Sequence, residues 1–598
     1  MKRRAHILKD NRACDYPQQC IWFDTETNFE RPDEETIYHR LKFGYACYMR
    51  RHHSREWTDE KWIRFDTRTA FWDFVVAQTR EQIKLYLFCH NTSFDLPVLN
   101  VFQELPKRGY TLRSAIIDAP PTILRFRRGT RCIMVLDTLN LWRMPLRELA
   151  KEIGTEKYEM PEDNDLSVEW ETYGKRDVEI IRDACIKWFE FLETNDYGSF
   201  APTLAGQAMR VFRHKYMQHK ILLDDNEDAL KLTRDGYYGG RNEVFKLGRY
   251  QDRFYLLDIN SMYPAQMANH PFPYRLLSHT RMATIDDLQI WLKSYAVTAR
   301  VVLRTSRPFA AVRDNHKLVF PIGEFECILA TPELRYALSI ADILAVKEVA
   351  VYEQAHLFTH MMHDMYFRRV DAKNRGRPIE AFMYRKLMNS FYGKWGQSGG
   401  KWIEETNIDD LSCKSWIELD LETNTRIYHR QLGGLKQRRD TETETRDSFP
   451  AIAGHVTAYA RMELWDIITQ AGIAHVYYCD TDSVLVNSVG RRNLEFRIDS
   501  TRLGGLSVKG EYDDIEIWGC KDYRFGEKQR TKGVRKDAVW ITDHDVRQTK
   551  WSGLRGLVSA GIVDKPITKT IRKHLNRLYD KGVVLPDGTV QPRLILPE

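Results

Sequence analysis

Two aspartates placed one residue apart constrain this chain more than any other feature. They lie in YYCDTDSV at residues 477–484, directly behind a run of aromatic and β-branched residues. Residues i and i+2 of a strand face the same side, so Asp480 and Asp482 share a face if the strand continues and flank a tight turn if it ends. Both arrangements are costly unless a cation lies between the carboxylates. The alternative is an ordinary surface turn, in which Asp is common.

A further carboxylate, Asp258, ends another apolar run, FYLLD at residues 254–258. A surface turn around Asp480 does not explain this second acid. Convergent carboxylates hold two divalent ions about 3.5–4 Å apart, which activate an attacking oxygen and stabilise a leaving one. Oxygen ligands favour Mg²⁺, with Mn²⁺ as a substitute. The sequence therefore predicts a two-metal site.

The same pattern occurs near the start of the chain. FDTE places Asp24 and Glu26 at i and i+2, HNTSFD ends in Asp95, and YGKRD places Tyr173 and Asp177 one helical turn apart. Each acid alone is most often a surface residue. Together, on separate elements, they predict a second metal site that activates water against a phosphodiester.

Composition limits the class of protein. The chain has 598 residues, of which 43% are hydrophobic and 29% charged, which is typical of a globular protein of several domains. It has no apolar stretch of membrane-spanning length, so no membrane partner is expected. None of the ten cysteines forms a CxxC pair, so a zinc site of the usual spacing is not expected. Scattered thiols suit the cytoplasm of a host cell; for the basic start of the chain, a mitochondrial address is the alternative to an ordinary exposed terminus.

The first part of the chain alternates apolar strands with helical stretches, which indicates an α/β unit. We expect strands at 20–26, 83–89 and 132–136, a long helix over 167–193, and a boundary at the turn-rich stretch 194–203.

A larger α+β part follows, with a helix over 376–396 and a strand that leads into Asp480. The polar stretch 397–449 predicts an insertion or an exposed hairpin, with a flexible linker as the alternative. The basic stretch 521–540 is either a solvated surface or a phosphate-binding face.

Three motifs carry a resemblance to a known family. DINSMYP (258–264), RKLMNSFYG (385–393) and YYCDTDS (477–483) resemble motifs A, B and C of the family B DNA polymerases, in the family's order. The resemblance implies that Asp258 and Asp482 bind both metals, with Asp480 beside them. It also implies that Tyr263 packs under the sugar of the incoming nucleotide and excludes a 2′-hydroxyl, while the nascent base pair is held by Asn389, Ser390, Tyr392 and Gly393.

Motif B departs from the family pattern, which has Lys four residues before the Asn. Here that position is Arg385, and Lys386 follows it. Either side chain can hold phosphate, the guanidinium in a bidentate manner and the ammonium as a point charge. Lys373 is a further candidate for the triphosphate; a solvated helix end is the alternative for its basic surroundings.

The N-terminal acids resemble the three Exo motifs of the family's proofreading 3′–5′ exonuclease domain. The resemblance implies that Asp24, Glu26, Asp95 and Asp177 are metal ligands and that Tyr173 orients the attacking water. Further implied roles are holding the frayed 3′ end (Asn91 and Phe94), contacting single-stranded DNA (Thr138 and Leu139, in DTLNLW) and stabilising the transition-state charge (Lys157, in KYEM).

Shorter matches point to the protein-primed branch of the family, whose members copy phage, viral and linear-plasmid genomes. YYGG (237–240), TAYAR (457–461) and KDY (521–523) resemble three motifs of this branch, and the long gaps between motifs A, B and C suit its two insertions. The DNA contacts implied are Tyr237, Gly239, Gly240, Thr457, Arg461, Lys521 and Tyr523.

The fold implied is α/β plus α+β and multidomain. A ribonuclease H-like 3′–5′ exonuclease domain (1–195) would precede a right-hand polymerase domain (196–598). The expected parts of the latter are a palm (200–265 and 450–515), a first insertion (266–360), fingers (361–396), a second insertion (397–449) and a thumb (516–598).

The function implied is template-directed, two-metal DNA synthesis with proofreading, primed by a protein hydroxyl. The partners would be primer–template and single-stranded DNA, dNTPs and a terminal protein. The alternatives are a polymerase that extends ordinary nucleic-acid primers, a nuclease with an inactive polymerase half, and a non-catalytic nucleic-acid scaffold. The intact acids argue against the last two, because binding alone requires basic and aromatic groups.

Overall fold

The structure is a computed structural model that describes residues 3–51, 56–118, 120–161, 168–400, 402–422, 424–439 and 444–596. None of the helices among these residues is both long and apolar enough to cross a membrane. The α-helices are Arg68–Ala77, Thr92–Val98, Val101–Lys107, Leu146–Glu152, Val168–Thr194, Leu204–Val211, Glu227–Asp235, Met262–Asn269, Ile285–Ser294, Thr331–Ile340, Thr359–Asn374, Pro378–Trp395, Pro450–Ala471, Ser488–Asn493 and Leu554–Ser559.

A mixed sheet, named here the N-terminal sheet, organises the first part of the chain. The strands predicted at 20–26, 83–89 and 132–136 are confirmed and run parallel to one another. In spatial order the strands are Val539–Trp540, Asp545–Trp551, Ile567–His574, Thr36–Arg51, Gln19–Glu30, Lys84–Cys89, Arg131–Asp137, Thr122–Arg128 and Thr111–Ile117, while Trp57–Phe65 also pairs with Thr36–Arg51.

The long helix predicted over 167–193 is confirmed as Val168–Thr194, although residue 167 lies outside the described residues. It packs its apolar face against the sheet, in a core shared with Trp22. Burying one large apolar side chain contributes about 1.5–3 kcal/mol, so this face anchors the helix firmly. The positions near helical spacing are all fully buried: Val178, Ile181, Cys185 and Trp188.

The central sheet is antiparallel and lies in the second part of the chain. In spatial order its strands are Asn242–Val244, Val476–Asp480, Ser483–Asn487, Gly248–Ile259, Leu506–Gly519, Asp522–Phe525 and Lys528–Thr531. The sheet therefore extends past the palm boundary expected at 515. It does so because the last two strands continue it as a hairpin through Thr531.

Part of the segment expected to form a thumb pairs with the N-terminal sheet. The strand Ile567–His574 pairs with Thr36–Tyr38, at the start of a long strand. The neighbouring strand Trp57–Phe65 pairs only with the later part of that strand, from Gly44 onwards, which leaves the edge at Thr36 open to a new partner. The C-terminal part of the chain is thereby joined to the N-terminal part by backbone hydrogen bonds.

Two inserted sheets and a helix pair complete the fold. The helix expected over 376–396 is confirmed as Pro378–Trp395, and it packs against Thr359–Asn374. The first inserted sheet contains Phe272–Thr280, Asp342–Ala355, Ala296–Thr305, Ile322–Ala330 and Leu594–Ile595. The second contains Trp402–Asn407, Leu435–Arg439, Thr425–Leu432 and Lys414–Asp420.

The polar stretch 397–449 is therefore an insertion with its own antiparallel sheet, and the linker alternative is wrong. Its few apolar residues explain why it folds against the rest of the protein. Leu432 and Leu435 are buried in the same core as the residues of the N-terminal sheet, and Arg430 donates a 2.7 Å hydrogen bond to the Ala115 carbonyl.

Candidate active sites

The central sheet brings together the acids of motifs A and C. Asp258 stands opposite Ser483 in the pairing of their strands, and the Ile259 amide donates a 2.7 Å hydrogen bond to the Asp482 carbonyl. Asp480 ends one strand and Asp482 lies in the turn, where Thr481 has a left-handed φ of 64°. Of the two geometries predicted from the sequence, the tight turn is the one observed.

The electrostatics of Asp258 and Asp482 suit a bound cation. Burial raises the pKa of Asp482 to about 6, and the nearby Asp258 carboxylate adds to the shift. Burial also raises the pKa of Asp258, against the opposing charge of the Lys509 ammonium 3.8 Å away. Two carboxylates that repel each other in a partly buried place gain most from a divalent ion, so this donor set fits Mg²⁺.

Asp480 has a different environment from its two neighbours. Its Oδ1 accepts a 3.0 Å hydrogen bond from the Asn242 side chain and lies 3.3 Å from the Lys521 ammonium. Protein groups thus already neutralise this carboxylate. The arrangement agrees with a place beside the metal ligands, and it puts Lys521 of the KDY motif at the same site.

The YYGG segment abuts the motif C turn. A Cβ atom at Gly240 would lie 2.8 Å from Thr481 Cγ2, and the Thr481 amide donates a 2.7 Å hydrogen bond to the Arg241 carbonyl. Only glycine permits this approach. Gly239 is exposed with open space around it, while Tyr237 packs closely over Gly396 at the end of the Pro378–Trp395 helix.

Thr457 and Arg461 are both buried, with exposures of 1% and 2%, and their contacts with DNA stay a prediction. The Arg461 guanidinium forms a 2.8 Å ion pair with buried Glu333 and donates hydrogen bonds to the carbonyls of Tyr238 (2.9 Å) and Gly239 (3.0 Å). Removing one partner of such a pair typically costs about 3–5 kcal/mol. Arg461 therefore fixes the YYGG backbone from behind.

Tyr523 is also buried and stacks on Phe525 at a centroid distance of 4.0 Å, and its contact with the primer stays a prediction. Its ring belongs to the core beneath the central sheet.

Tyr263 and Tyr392 form a pair beside the acids. Their rings are 4.2 Å apart at the centroids and inclined by 40°. Burial raises the pKa of Tyr263 far above its usual value, and the hydrogen bond with Tyr392 adds to the shift. Both phenols therefore stay protonated. The helix that carries Tyr263 begins after Ser261, which has a left-handed φ of 53°.

The two helices over the acids present basic and polar side chains. Asn389 and Gly393 are exposed on one of them. Arg385 lies 3.4 Å from Glu152 of the N-terminal part, whereas Lys386 forms no ion pair with any residue that the structure describes. Burial, with the Arg385 charge beside it, lowers the pKa of Lys386. An unpaired and partly desolvated ammonium makes Lys386 the stronger candidate for a phosphate contact.

Sequence reasoning missed Arg369. Its guanidinium donates a 3.1 Å hydrogen bond to the Ser261 hydroxyl of motif A, which places it closer to that motif than the exposed Lys373 one turn later. The sequence could have indicated Arg369, because it lies four residues before Lys373 and residues four apart share one face of a helix.

The N-terminal acids form the second cluster. The carboxylate oxygens of Asp24, Glu26 and Asp177 lie within 4.8 Å of one another, the first two on the strand Gln19–Glu30 and the third on the long helix. Burial, with Asp177 nearby, raises the pKa of Glu26 to about 8. Burial and the neighbouring carboxylates raise the pKa of Asp24 well above its usual value. This donor set also fits divalent metal.

Asp95 lies next to this cluster but faces other partners. Its Oδ1 accepts hydrogen bonds from the Thr25 amide (3.1 Å) and the Thr25 hydroxyl (2.7 Å). Burial raises the pKa of Asp95 to about 7. Its role as a ligand stays a prediction.

Lys157 and Tyr173 are both at the cluster. The Lys157 ammonium pairs with the Asp177 carboxylate and donates a 3.0 Å hydrogen bond to the Tyr173 hydroxyl. A motif as short as KYEM thus falls on a residue that contacts a candidate metal ligand.

The residues expected to hold single-stranded DNA divide into two groups. Asn91 is exposed, and Phe94 is half-buried with Trp551 against its ring at 5.6 Å. Thr138 is fully buried and its hydroxyl donates a 3.1 Å hydrogen bond to the Cys89 carbonyl, and its contact with DNA stays a prediction.

Asp137, which sequence reasoning passed over, explains this placement. Its carboxylate accepts hydrogen bonds from the amides of Asn91 (3.0 Å), Thr92 (2.9 Å) and Leu139 (2.8 Å). It thereby ties the two predicted DNA-contacting segments together. Leu139 remains half-buried at the surface of this junction.

The chain thus contains a mixed sheet with one acidic cluster, followed by an antiparallel sheet with a second acidic cluster beneath a helix pair. Residues 140–415 match the family described as DNA polymerase type B, organellar and viral. The family B resemblance read from the motifs is therefore confirmed.

Curated relatives agree with this family. A DNA polymerase of Kluyveromyces lactis is 22% identical over 373 residues, which are 56% of this chain and 36% of the relative. The DNA-directed DNA polymerase of Enterobacteria phage PRD1 is 24% identical over 336 residues, 54% of each. The chain thus spans between a third and about half of the length of these relatives.

The solved structures extend the likeness in fold to nearly the whole chain. Phi29 DNA polymerase in a ternary complex with primer–template DNA and incoming nucleotides matches with a TM-score of 0.67, at 15% identity, over 94% of this chain and all of that one. The binary complex of the same polymerase matches with a TM-score of 0.61, at 16% identity, over 85% of this chain and 87% of the other. The multidomain fold expected from the sequence is confirmed.

Proposed function

We propose that the chain is a template-directed DNA polymerase with a 3′–5′ proofreading exonuclease, primed by a protein hydroxyl. One observation carries the proposal. Asp258 and Asp482, distant in sequence, are brought together by the pairing of Asp258 with Ser483, and burial and the Asp258 charge raise the pKa of Asp482. The relatives are named as DNA polymerases, and the solved neighbours hold primer–template DNA and nucleotides.

In the polymerase site, Asp258 and Asp482 would hold Mg²⁺. When bound, it would activate the attacking 3′-hydroxyl and neutralise charge on the leaving pyrophosphate. Lys386 and Arg369, on the two helices over the acids, would bind the triphosphate. Positioning of this kind supplies much of the acceleration of phosphoryl transfer, because the protein takes little part in the covalent chemistry.

In the exonuclease site, Asp24, Glu26 and Asp177 would hold the metal that activates water. The Lys157 ammonium, between Asp177 and Tyr173, would stabilise the negative charge that develops on the scissile phosphate. Phe94 would stack on a base of the frayed 3′ end.

The test of the function is incubation of the purified chain with Mg²⁺, labelled dNTPs and a primed template. We expect extension to the end of the template and, without dNTPs, shortening of the primer from its 3′ end. Incorporation that ignores the template sequence, or none at all, would refute the proposal.

Protein priming rests on the YYGG segment against the motif C turn and on the phage PRD1 relative. The test offers a single-stranded template with either an oligonucleotide primer or a candidate terminal protein. A labelled nucleotide attached to the protein is the expected product. Extension of the oligonucleotide alone would favour the ordinary-primer alternative.

Replacing Tyr263 by valine is expected to admit ribonucleotides. The ring is held by Tyr392 and cannot withdraw, so its removal opens the space beside the sugar. One steric group is typically worth 10- to 200-fold in selectivity, and we expect a loss of roughly tenfold to a hundredfold in the ratio of kcat/KM for dNTP over rNTP. Tyr274→Val, on the first inserted sheet, is the matched control. Unchanged discrimination in Tyr263→Val would remove Tyr263 from this role.

A further inference from the structure

Cys14, Asp196 and His214 form a cluster that shares no residue with either acidic site. One ligand atom of each, the Cys14 sulfur, an Asp196 carboxylate oxygen and a His214 ring nitrogen, lies within 4.8 Å of the others. The three residues come from separate segments: the N-terminal stretch, the turn after the long helix, and the π-helix Phe212–Tyr216. They are exposed or partly exposed, so the cluster is open to a metal ion.

The histidine is oriented as a metal ligand. Its Nδ1 lies 2.7 Å from the Asn11 carbonyl and donates to it, which leaves Nε2 directed at Asp196, 2.9 Å away. A ring nitrogen that donates to a backbone carbonyl fixes the tautomer in metal sites, so that the other nitrogen is the donor to the metal. His214 also lies in a single π-turn, a rare element that is frequent at functional sites.

The backbone around the cluster is held in place. The Ser199 and Phe200 amides bond the carbonyls of Ala13 (2.9 Å) and Asp15 (3.0 Å), one on each side of Cys14. Gly198 has a left-handed φ of 70°, and a Cβ atom there would lie 3.0 Å from the His214 ring. The geometry therefore depends on a glycine at the back of the ring.

We propose that Cys14, Asp196 and His214 bind a zinc ion that fastens the N-terminal segment to the junction between the two parts of the chain. A thiolate with an imidazole selects Zn²⁺ over Mg²⁺, and a carboxylate completes three protein ligands with water in the fourth position. Binding releases the thiol proton, and the Nε2 proton as well where the ring is charged. The spacing rule for zinc motifs does not find this site, because its ligands are far apart in sequence.

The competing explanation is an imidazolium of His214 paired with Asp196, in which Cys14 has no part. Whether the Cys14 thiolate binds the metal therefore distinguishes the zinc site from the ion pair. Cobalt(II) reports it directly, because a cobalt–thiolate bond gives a charge-transfer band that carboxylate sites do not give.

The experiment titrates the metal-free chain of 598 residues with Co²⁺ in excess Mg²⁺, which occupies the acidic sites. We expect a thiolate charge-transfer band that saturates at one Co²⁺ per chain and is displaced by Zn²⁺. Cys14→Ser should abolish it. Asp10→Asn, His219→Ala and Cys520→Ser, at neighbouring or half-exposed positions, should retain it. No band, or an equal band in Cys14→Ser, would overturn the proposal.

Stability gives a second measurement that does not depend on enzyme activity. In the excess Mg²⁺ that occupies the acidic sites, zinc at about 100 times its Kd favours the folded state by a factor of about 100, so the thermal midpoint should rise with Zn²⁺ and fall with a zinc-selective chelator. Cys14→Ser should have the midpoint of the chelated parent and no response to zinc. A zinc response that survives in Cys14→Ser would count against the site. Because neither readout uses DNA, failure of the polymerase proposal would leave this one standing.

Discussion

Replacing Asp482 by alanine is expected to abolish nucleotide incorporation while leaving degradation of DNA nearly intact. Burial and the Asp258 charge raise the pKa of Asp482 in the central sheet, whereas Oδ1 of the neighbouring Asp480 is already bonded to Asn242 and Lys521. Metal stabilisation of the transition state is worth several kcal/mol, so we expect incorporation to fall by about a thousandfold or more. Primer extension and single-strand degradation are measured on the same preparation.

The matched control is Asp513→Ala, an acid on the same sheet that is exposed and paired with Arg253. It should leave both activities unchanged. If Asp482→Ala lost both activities together, the proposal that synthesis and degradation occur at separate sites would be wrong. If it lost neither, the assignment of DNA synthesis to the central sheet would fail.

The local parts of the fold were predictable because they depend on nearby residues. The long helix follows from the spacing of Val178, Ile181, Cys185 and Trp188, all of which are buried. The sequence left two geometries open for Asp480 and Asp482, because a period of two fits both a strand and a turn. The left-handed backbone of Thr481 distinguishes them, and Thr carries no signal for that conformation.

Contacts between distant segments were not predictable. The motif around Arg461 predicts a basic residue that contacts DNA. In the structure Arg461 is paired with Glu333, which lies in another helix and belongs to no motif. The strand at Ile567 joins the N-terminal sheet because an edge is open near Thr36, and the sequence does not show which edges stay open. Burial of Thr138 likewise depends on the packing of its neighbours.

The N-terminal acids show how the members of one predicted site can have different surroundings. Asp24, Glu26 and Asp177 converge, whereas Asp95 accepts two hydrogen bonds from Thr25. The Lys157 ammonium neutralises the Asp177 carboxylate, whose charge a metal ion would otherwise have to neutralise. Removing part of this cluster therefore tests the nuclease site without touching the central sheet.

The double variant Asp24→Ala with Glu26→Ala is expected to lose DNA degradation and to keep nucleotide incorporation. It removes two of the three carboxylates that lie within 4.8 Å of one another and leaves Asp177 paired with Lys157. A site with one neutralised carboxylate binds divalent metal poorly, so we expect degradation to fall by about a thousandfold or more. The assay follows release of nucleotides from labelled single-stranded DNA, and mismatched primers should then be extended without repair.

Measuring the stability of the double variant distinguishes a specific loss of DNA degradation from misfolding of the protein. Burial holds the pKa of Glu26 at about 8 in the folded state, above its usual value, so the unfolded chain gives up the proton first and the folded state loses stability as the pH rises from about 4.5 towards 8. Without metal, the double variant should therefore be at least as stable as the parent at neutral pH. Asp66→Ala with Asp73→Ala, two exposed acids nearby, is the matched control and should degrade DNA normally. Degradation at the parental rate in the double variant would show that the water-activating metal lies elsewhere.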